Sequence, residues 1–309
     1  MKILVVGATG ILGRNAIPRL LERGHRVRAV VRRNDQARLL ERMGVETVIA
    51  NILDYKSMEA AAHGSHAALH LAMGIPKNGS QDWSLDDRIR LEGTRNLLDA
   101  LIKNGVTRYV QQSITLVYGE QGQEIVDESA SLQRTAISQS AIGMEESVRT
   151  SGLDWIILRG GLLYGPGTGR EEGWWGAALQ GRLTIPGDGS DLISLVHVVD
   201  MARAVVAATE HASPNRIYNI VDDEPVSVKD LFSYIAAQVG EEAPQAGGPK
   251  FLPSLGVKNT KAQIELAWRP VYPNYQIGLA YREFSGINRS RQIMASPRAA
   301  DQMKAEVLL

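Results

Sequence analysis

The hydrophobic positions fall into short apolar runs that alternate with stretches of helical spacing. Lys2 to Val6 is an apolar run of strand length that stops at Gly7. From residue 11 to 23, Ile11, Leu12, Ala16, Ile17, Leu20 and Leu21 recur three and four apart, which predicts a helix closed by Gly24. A second strand is predicted at Val27 to Val31, and the cycle repeats: helix 36–43, strand 45–50, helix 55–62, strand 67–72. A long helix over 86–103, a strand at 108–112, a helix at 138–151 and a strand at 154–159 complete the series. Strands alternating with helices of this length predict right-handed crossovers and a doubly wound parallel sheet, an α/β fold covered on both faces.

The rhythm changes at Gly165. Residues 165–191 hold glycines at 165, 167, 169, 173, 176, 181, 187 and 189 around Trp174 and Trp175, which predicts a mobile loop with a short helix. A smaller mixed region follows, with a strand at 217–221 and a helix at 228–239. The organisation expected is a main domain of residues 1–165 joined by 192–222, with 166–191 and 223–309 as a smaller substrate region and tail. The polar tail after Arg282 carries no clear pattern.

Composition narrows the field without naming a reaction. Lys+Arg and Asp+Glu are both 34, so the balance offers no electrostatic case for nucleic acid or an anionic membrane as partner. With no cysteine, disulfides, thiolate catalysis and cysteine-bound zinc are excluded. No run approaches the ~20 apolar residues of a membrane span. The N-terminal run ends in a glycine turn rather than a cleavage region, so a cytoplasmic protein is expected. The 6 histidines show no metal-ligand spacing, and no metal is expected.

The chemistry sits in the first turn. Gly7-Ala8-Thr9-Gly10-Ile11-Leu12-Gly13 lies between strand and helix, where three glycines suit a tight turn, approach of a diphosphate, and close helix packing. This predicts a Rossmann-type dinucleotide site with Gly7, Thr9, Gly10, Ile11, Leu12 and Gly13 against the nucleotide. About twenty residues on, an acid would bind a ribose 2′-hydroxyl, but Arg32 and Arg33 stand there. Two guanidinium groups favour a 2′-phosphate, hence NADP over NAD.

Several further motifs follow in order: Asp54 in NILD, LHLA ending at Ala72, EGTRNLLDA at 92–100, VYG at 117–119, LYGPG at 163–167, VHVVD at 196–200 and WRPVYPNY at 268–275. Together with the glycine turn they resemble the NAD-dependent epimerase/dehydratase family, the extended short-chain dehydrogenases/reductases. The resemblance covers most of residues 1–280. It implies that Ile52 and Asp54 lie at the adenine, that Leu71 and Ala72 run along the cofactor, and that the LYGPG loop closes over a small-molecule substrate. It also makes a homodimer through the helices at 86–103 and 138–151 plausible.

The same resemblance exposes a departure. Such proteins usually carry Tyr-x-x-x-Lys and a nearby Ser or Thr, so that a phenol exchanges a proton with the substrate. Here Ile137 and Ala141 stand at the Tyr and Lys places and Ile114 at the hydroxyl place. No lysine occurs between Lys103 and Lys229 and no tyrosine between Tyr118 and Tyr164, so no change of register restores the pair. Ionising a phenol of pKa near 10 at pH 7 costs about 4 kcal/mol, so a tyrosine lacking a cation is a poor base.

Substitute groups are Tyr118, Ser113 and Thr115 near the expected site. Tyr164, Trp174, Trp175 and His197 are candidates for the substrate pocket. Tyr118 and Tyr164 equally fit packing, the tryptophans equally fit burial in the smaller region, and His197 fits a structural network with Asp200. Two classes of function stay open. One is an atypical NADP(H)-dependent oxidoreductase for a small carbonyl or alcohol, or a non-redox isomerase, cyclase or lyase on the same scaffold. The other is a silent NADP(H)-binding sensor.

Overall fold

The computed structural model describes residues 1–76, 82–250 and 252–280. The sequence's polar tail, from residue 281, therefore lies outside the described residues.

Seven strands form one parallel sheet: β1 (Lys2–Val6), β2 (Arg26–Val31), β3 (Glu46–Ile49), β4 (Ala67–His70), β5 (Arg108–Ile114), β6 (Asp154–Gly160) and β7 (Arg216–Ile220). Their order is β3-β2-β1-β4-β5-β6-β7. The chain therefore winds outward twice from a switch point between β1 and β4, where a crevice opens at the carboxyl ends of the strands. Alternation within each strand feeds two cores. Ile3 and Val5 face α1 (Ile11–Glu22) and α8 (Val198–His211), while Leu4 and Val6 face α3 (Tyr55–Ala62) and α5 (Thr94–Lys103). Helix α2 (Asn34–Glu41) packs Ala37 and Leu40 into the first of these cores.

The long helix predicted over 86–103 is composite. Helix α4 (Ser84–Arg88) runs into a π-helical turn (Ile89–Gly93) and then α5. Gly93 is in close contact with Ile52, since a Cβ there would meet that side chain at 3.1 Å. After β5 come a 3-10 turn (Thr115–Tyr118) and α6 (Gln139–Arg149).

The strand at 216–220 belongs to the main sheet, pairing with β6 from Ile156 to Gly160. Within the glycine-rich segment, Arg170–Leu179 form α7, the short helix expected there. Against α7 packs α9 (Val228–Gln238), and together they bury a separate core containing Trp174, Ile185, Leu231 and Ile235.

Candidate active site

The glycine turn has the geometry its spacing predicts. Gly7 holds φ +89°, and a Cβ on it would lie 2.5 Å from the Ala72 nitrogen and the Leu71 carbon. A Cβ on Gly13 would lie 2.3 Å from the Gly7 oxygen. Both glycines are therefore required by backbone contact alone. Gly10 differs. It is the N-cap of α1 without a side-chain cap, and its added Cβ would meet only the Gly7 oxygen, at 3.2 Å. The space it faces is otherwise open, and the first turn of α1 carries no acid. Unpartnered N–H groups at such a helix start suit a diphosphate.

On the β2–β3 side, Arg32 and Arg33 are exposed at the strand end. Arg33 is committed to a bidentate pair with Asp35, with both bonds at 3.0 Å. The Arg32 backbone N–H donates to Gln36. Asp54 is exposed and caps α3 by accepting the Lys56 N–H at 3.1 Å. Ile52 is buried, with its carbonyl accepting from Asn96. Leu71 extends β4 by donating its N–H to the Val6 oxygen. These residues fit a dinucleotide: an open anion cradle at α1, with its adenosine half toward β2 and β3.

On the β5–β6 side the proposed proton donors lie in packed surroundings. Tyr118 is fully buried. Its hydroxyl donates to Asn219 Oδ1 at 2.7 Å and accepts from Arg159 Nη1 at 2.9 Å. Burial pushes its pKa up, with Arg159 opposing. Ser113 is buried and donates to Glu145 Oε1 at 2.6 Å. Thr115 is buried at the start of the 3-10 turn. The hydroxyls of Ser113 and Tyr118 thus already donate within the protein. Of the positions that resemblance marks as vacant, Ala141 is fully buried in a cluster with Val117 and Ile142, Ile114 is partly buried against it, and Ile137 is 43% exposed.

Three of the four expected substrate contacts are buried as well. Trp174 lies in the core of the smaller region, edge-on to Phe232 at 6.1 Å. Tyr164 is buried, its hydroxyl donating to Asp222 Oδ2 at 3.2 Å, and burial raises its pKa. His197 caps α8 by accepting the Val199 N–H through Nδ1 and packs on Tyr272 at 3.9 Å. Burial lowers its pKa to about 4, which favours the neutral imidazole near neutral pH. Trp175 alone of the four is partly exposed, with its indole N–H on Glu171. The LYGPG loop still closes on the nucleotide turn, since a Cβ on Gly167 would meet Ile11 Cδ1 at 3.1 Å.

Sequence reasoning passed over the group that organises this corner. Arg159 and Glu145 form a buried ion pair at 2.6 Å, each side chain 2% exposed. A charged residue directly after the apolar run Trp155-Ile156-Ile157-Leu158, within the same strand, was the available signal, because a buried cation needs a partner. His70, the core histidine of LHLA, bonds Gln111 at 2.9 Å, and burial lowers its pKa to about 4. Among the described residues no group of three or more acidic or histidine side chains could hold a metal. Nor is any described helix long and apolar enough to cross a membrane. A cleft of about 640 Å³ beside Arg149, Trp155 and Asn215 opens at the start of β6, the opposite end from the glycine turn.

Comparison with known proteins settles the kinship. The model of the NAD dependent epimerase/dehydratase family matches residues 3–221. The chain belongs to that family. A 3-diazoavenalumate denitrifying reductase from a Streptomyces species is 31% identical, over 90% of this chain and 99% of the relative. A 2-alkyl-3-oxoalkanoate reductase from Stenotrophomonas maltophilia is 28% identical, over 78% of this chain and 76% of the relative. Among solved structures, a Thermus thermophilus UDP-glucose 4-epimerase in complex with NAD superposes with a TM-score of 0.76 at 25% identity, over 93% of this chain and 100% of the other.

Proposed function

We propose that this family member is a nicotinamide-nucleotide-dependent reductase whose acceptor requires no proton from the protein. One observation carries the reading. The open cradle at Gly10 is accompanied, on the β5–α6 side, by Ile114, Ile137 and Ala141, while the hydroxyls of Ser113 and Tyr118 already donate within the protein. A reduced nicotinamide, when bound, supplies hydride. The chain's own part is to hold the nucleotide on the α1 turn, keep the β5–β6 ends rigid through the Glu145–Arg159 pair, and present an apolar wall.

The relationship to the Streptomyces enzyme supports an acceptor of the diazo class. An arenediazonium already carries positive charge. Exchange of its nitrogen for hydrogen breaks the carbon–nitrogen bond, forms a carbon–hydrogen bond and releases dinitrogen, consuming two electrons and one hydrogen nucleus from the donor. No general acid enters the balance. A small carbonyl, which the Stenotrophomonas relative favours, additionally needs a proton. Here that proton would come from water at the exposed flank of Ile137.

The two acceptors separate by assay. With an arenediazonium salt and NADPH, the expected result is equimolar nucleotide oxidation and dinitrogen release, flat between about pH 6 and about pH 9. Consumption of NADPH by a 3-oxo acid alone, falling as pH rises, would favour the carbonyl reading. Turnover of neither would overturn the reductase assignment.

The reading also prefers NADP. Because Arg33 is held by Asp35, the 2′-phosphate would fall mainly to Arg32. Arg32→Ala should weaken NADPH binding by roughly tenfold or more and leave NADH nearly unchanged, about 1.4 kcal/mol of phosphate contact. Equal losses for both nucleotides would count against it.

A further inference from the structure

We propose that the cleft at the amino end of β6 binds a free amino acid with an apolar or aromatic side chain, at a site separate from the nucleotide crevice. The cleft holds about 640 Å³, within the range of small-ligand pockets. It is walled by Arg149 and Thr150 at the end of α6, Asp154 and Trp155 at the start of β6, and Asn215 just before β7. Its place follows from the fold. Helix α6 ends at Arg149, the chain turns through Gly152 at φ +75°, and β6 begins at Asp154. The Asn215 N–H donates to the Trp155 oxygen at 2.8 Å, which fixes the entry to β7 against β6. Asn215 holds φ +61°, a conformation that asparagine adopts more readily than most residues.

The cleft gathers polar groups that have nothing to bind. Among the described residues Arg149 has no ion-pair or hydrogen-bond partner, and neither has the Asp154 carboxylate. The two do not pair with each other. Neighbouring charges are committed elsewhere: Arg134 pairs with Glu146, the other acid of the cleft, and Arg159 pairs with Glu145. Arg108 acts on Asp154 only through space and donates to the Ala208 and Ala212 oxygens at 2.7 and 2.6 Å. The Asn215 carboxamide and the Trp155 indole N–H are likewise without a partner among the described residues. Trp155 is half-buried, packed against the core that contains Leu153 and Ile157, and part of its indole stays open.

These charges select the ligand. A carboxylate answers Arg149 through charge-assisted, bidentate hydrogen bonds. An ammonium answers Asp154, and the negative carbonyl end of α6 favours it further. A purely anionic ligand would be opposed by Asp154, and a purely cationic one by Arg149. A zwitterion satisfies both. The remaining partner is the indole of Trp155, against which an apolar or aromatic side chain packs.

The test is NMR on the full chain with tryptophan labelled at nitrogen, the Trp155 indole signal being assigned with Trp155→Phe. The probes are L-phenylalanine and L-leucine. The controls are 3-phenylpropanoate, which lacks the ammonium, and phenethylamine, which lacks the carboxylate. The expected result is a saturable shift of the Trp155 signal with either amino acid. Arg149→Gln, Asp154→Asn and the loss of either charged group from phenylalanine should each weaken binding roughly tenfold or more. Both substitutions are at exposed positions, and unchanged signals from the other tryptophans report that the fold is kept. No saturable shift with either amino acid, a control bound as tightly as phenylalanine, or variants that bind like wild type would overturn the inference. Shifts confined to Trp174 or Trp175 would overturn it too, by placing the ligand in the smaller region.

Discussion

Tyr118 shows how a residue's surroundings decide its role. Its hydroxyl joins Asn219 and Arg159 in a sealed network, and the guanidinium stands 4.9 Å from the centre of its ring. Tyr118→Phe removes one acceptor from a buried cation and one donor from Asn219. The expected cost is about 1–3 kcal/mol of stability in urea unfolding, with kcat changed less than about threefold. A drop in kcat of a hundredfold or more with unchanged stability would return Tyr118 to the chemistry. The glycine turn was fully legible from sequence because its requirements are backbone ones. Gly7 and Gly13 are dictated by contacts within the turn and with the end of β4, which the strand–turn–helix pattern implies. The hydroxyls were not legible. Whether Ser113 is free depends on Glu145, 32 positions away, and no local pattern reports that.

At the scale of elements, periodicity located the sheet and most helices to within a few residues because the strands carry apolar runs that break at turn residues. One element diverges. The helix predicted over 86–103 contains the π turn at Ile89–Gly93, which places Arg90 beside α6. Helix α7 is the short helix expected in the glycine-rich segment, and its buried stripe of Trp174, Ala177 and Ala178 against α9 offsets a cost of about 1 kcal/mol for each of its two glycines. Adjacent tryptophans point to opposite environments on a helix, and here Trp174 is 4% exposed while Trp175 is partly open. Trp174→Ala should therefore destabilise the protein by about 3–5 kcal/mol in denaturant unfolding. A change under 1 kcal/mol accompanied by a large rise in KM would restore the pocket role.

For the whole molecule, buried titratable groups tie stability to pH. His70 and His197 are each held near pKa 4 by burial, below the usual 6.5. Below about pH 6.5 the unfolded chain takes up protons that these folded imidazoles refuse, so their contribution to stability is lost as pH falls toward 4. Asp222 works in the opposite direction, since burial raises its pKa and disfavours the charged carboxylate. The contribution of His70 is thus read as a difference. The stability of wild type minus that of His70→Gln should shrink by up to about 3 kcal/mol between about pH 7 and about pH 4. A difference constant across that range would contradict a neutral buried His70.

The proposed reading, supported by the committed hydroxyls of Ser113 and Tyr118, is that reduction here needs no proton from the protein. The most direct measurement follows the label. NADPH deuterated at C4 on each face in turn is incubated with the enzyme and an arenediazonium salt, and the arene product is examined by NMR. The account predicts that deuterium from one face appears at the carbon that lost nitrogen, in water and at a rate indifferent to pH. Product hydrogen drawn from solvent, or label lost equally from both faces, would contradict it.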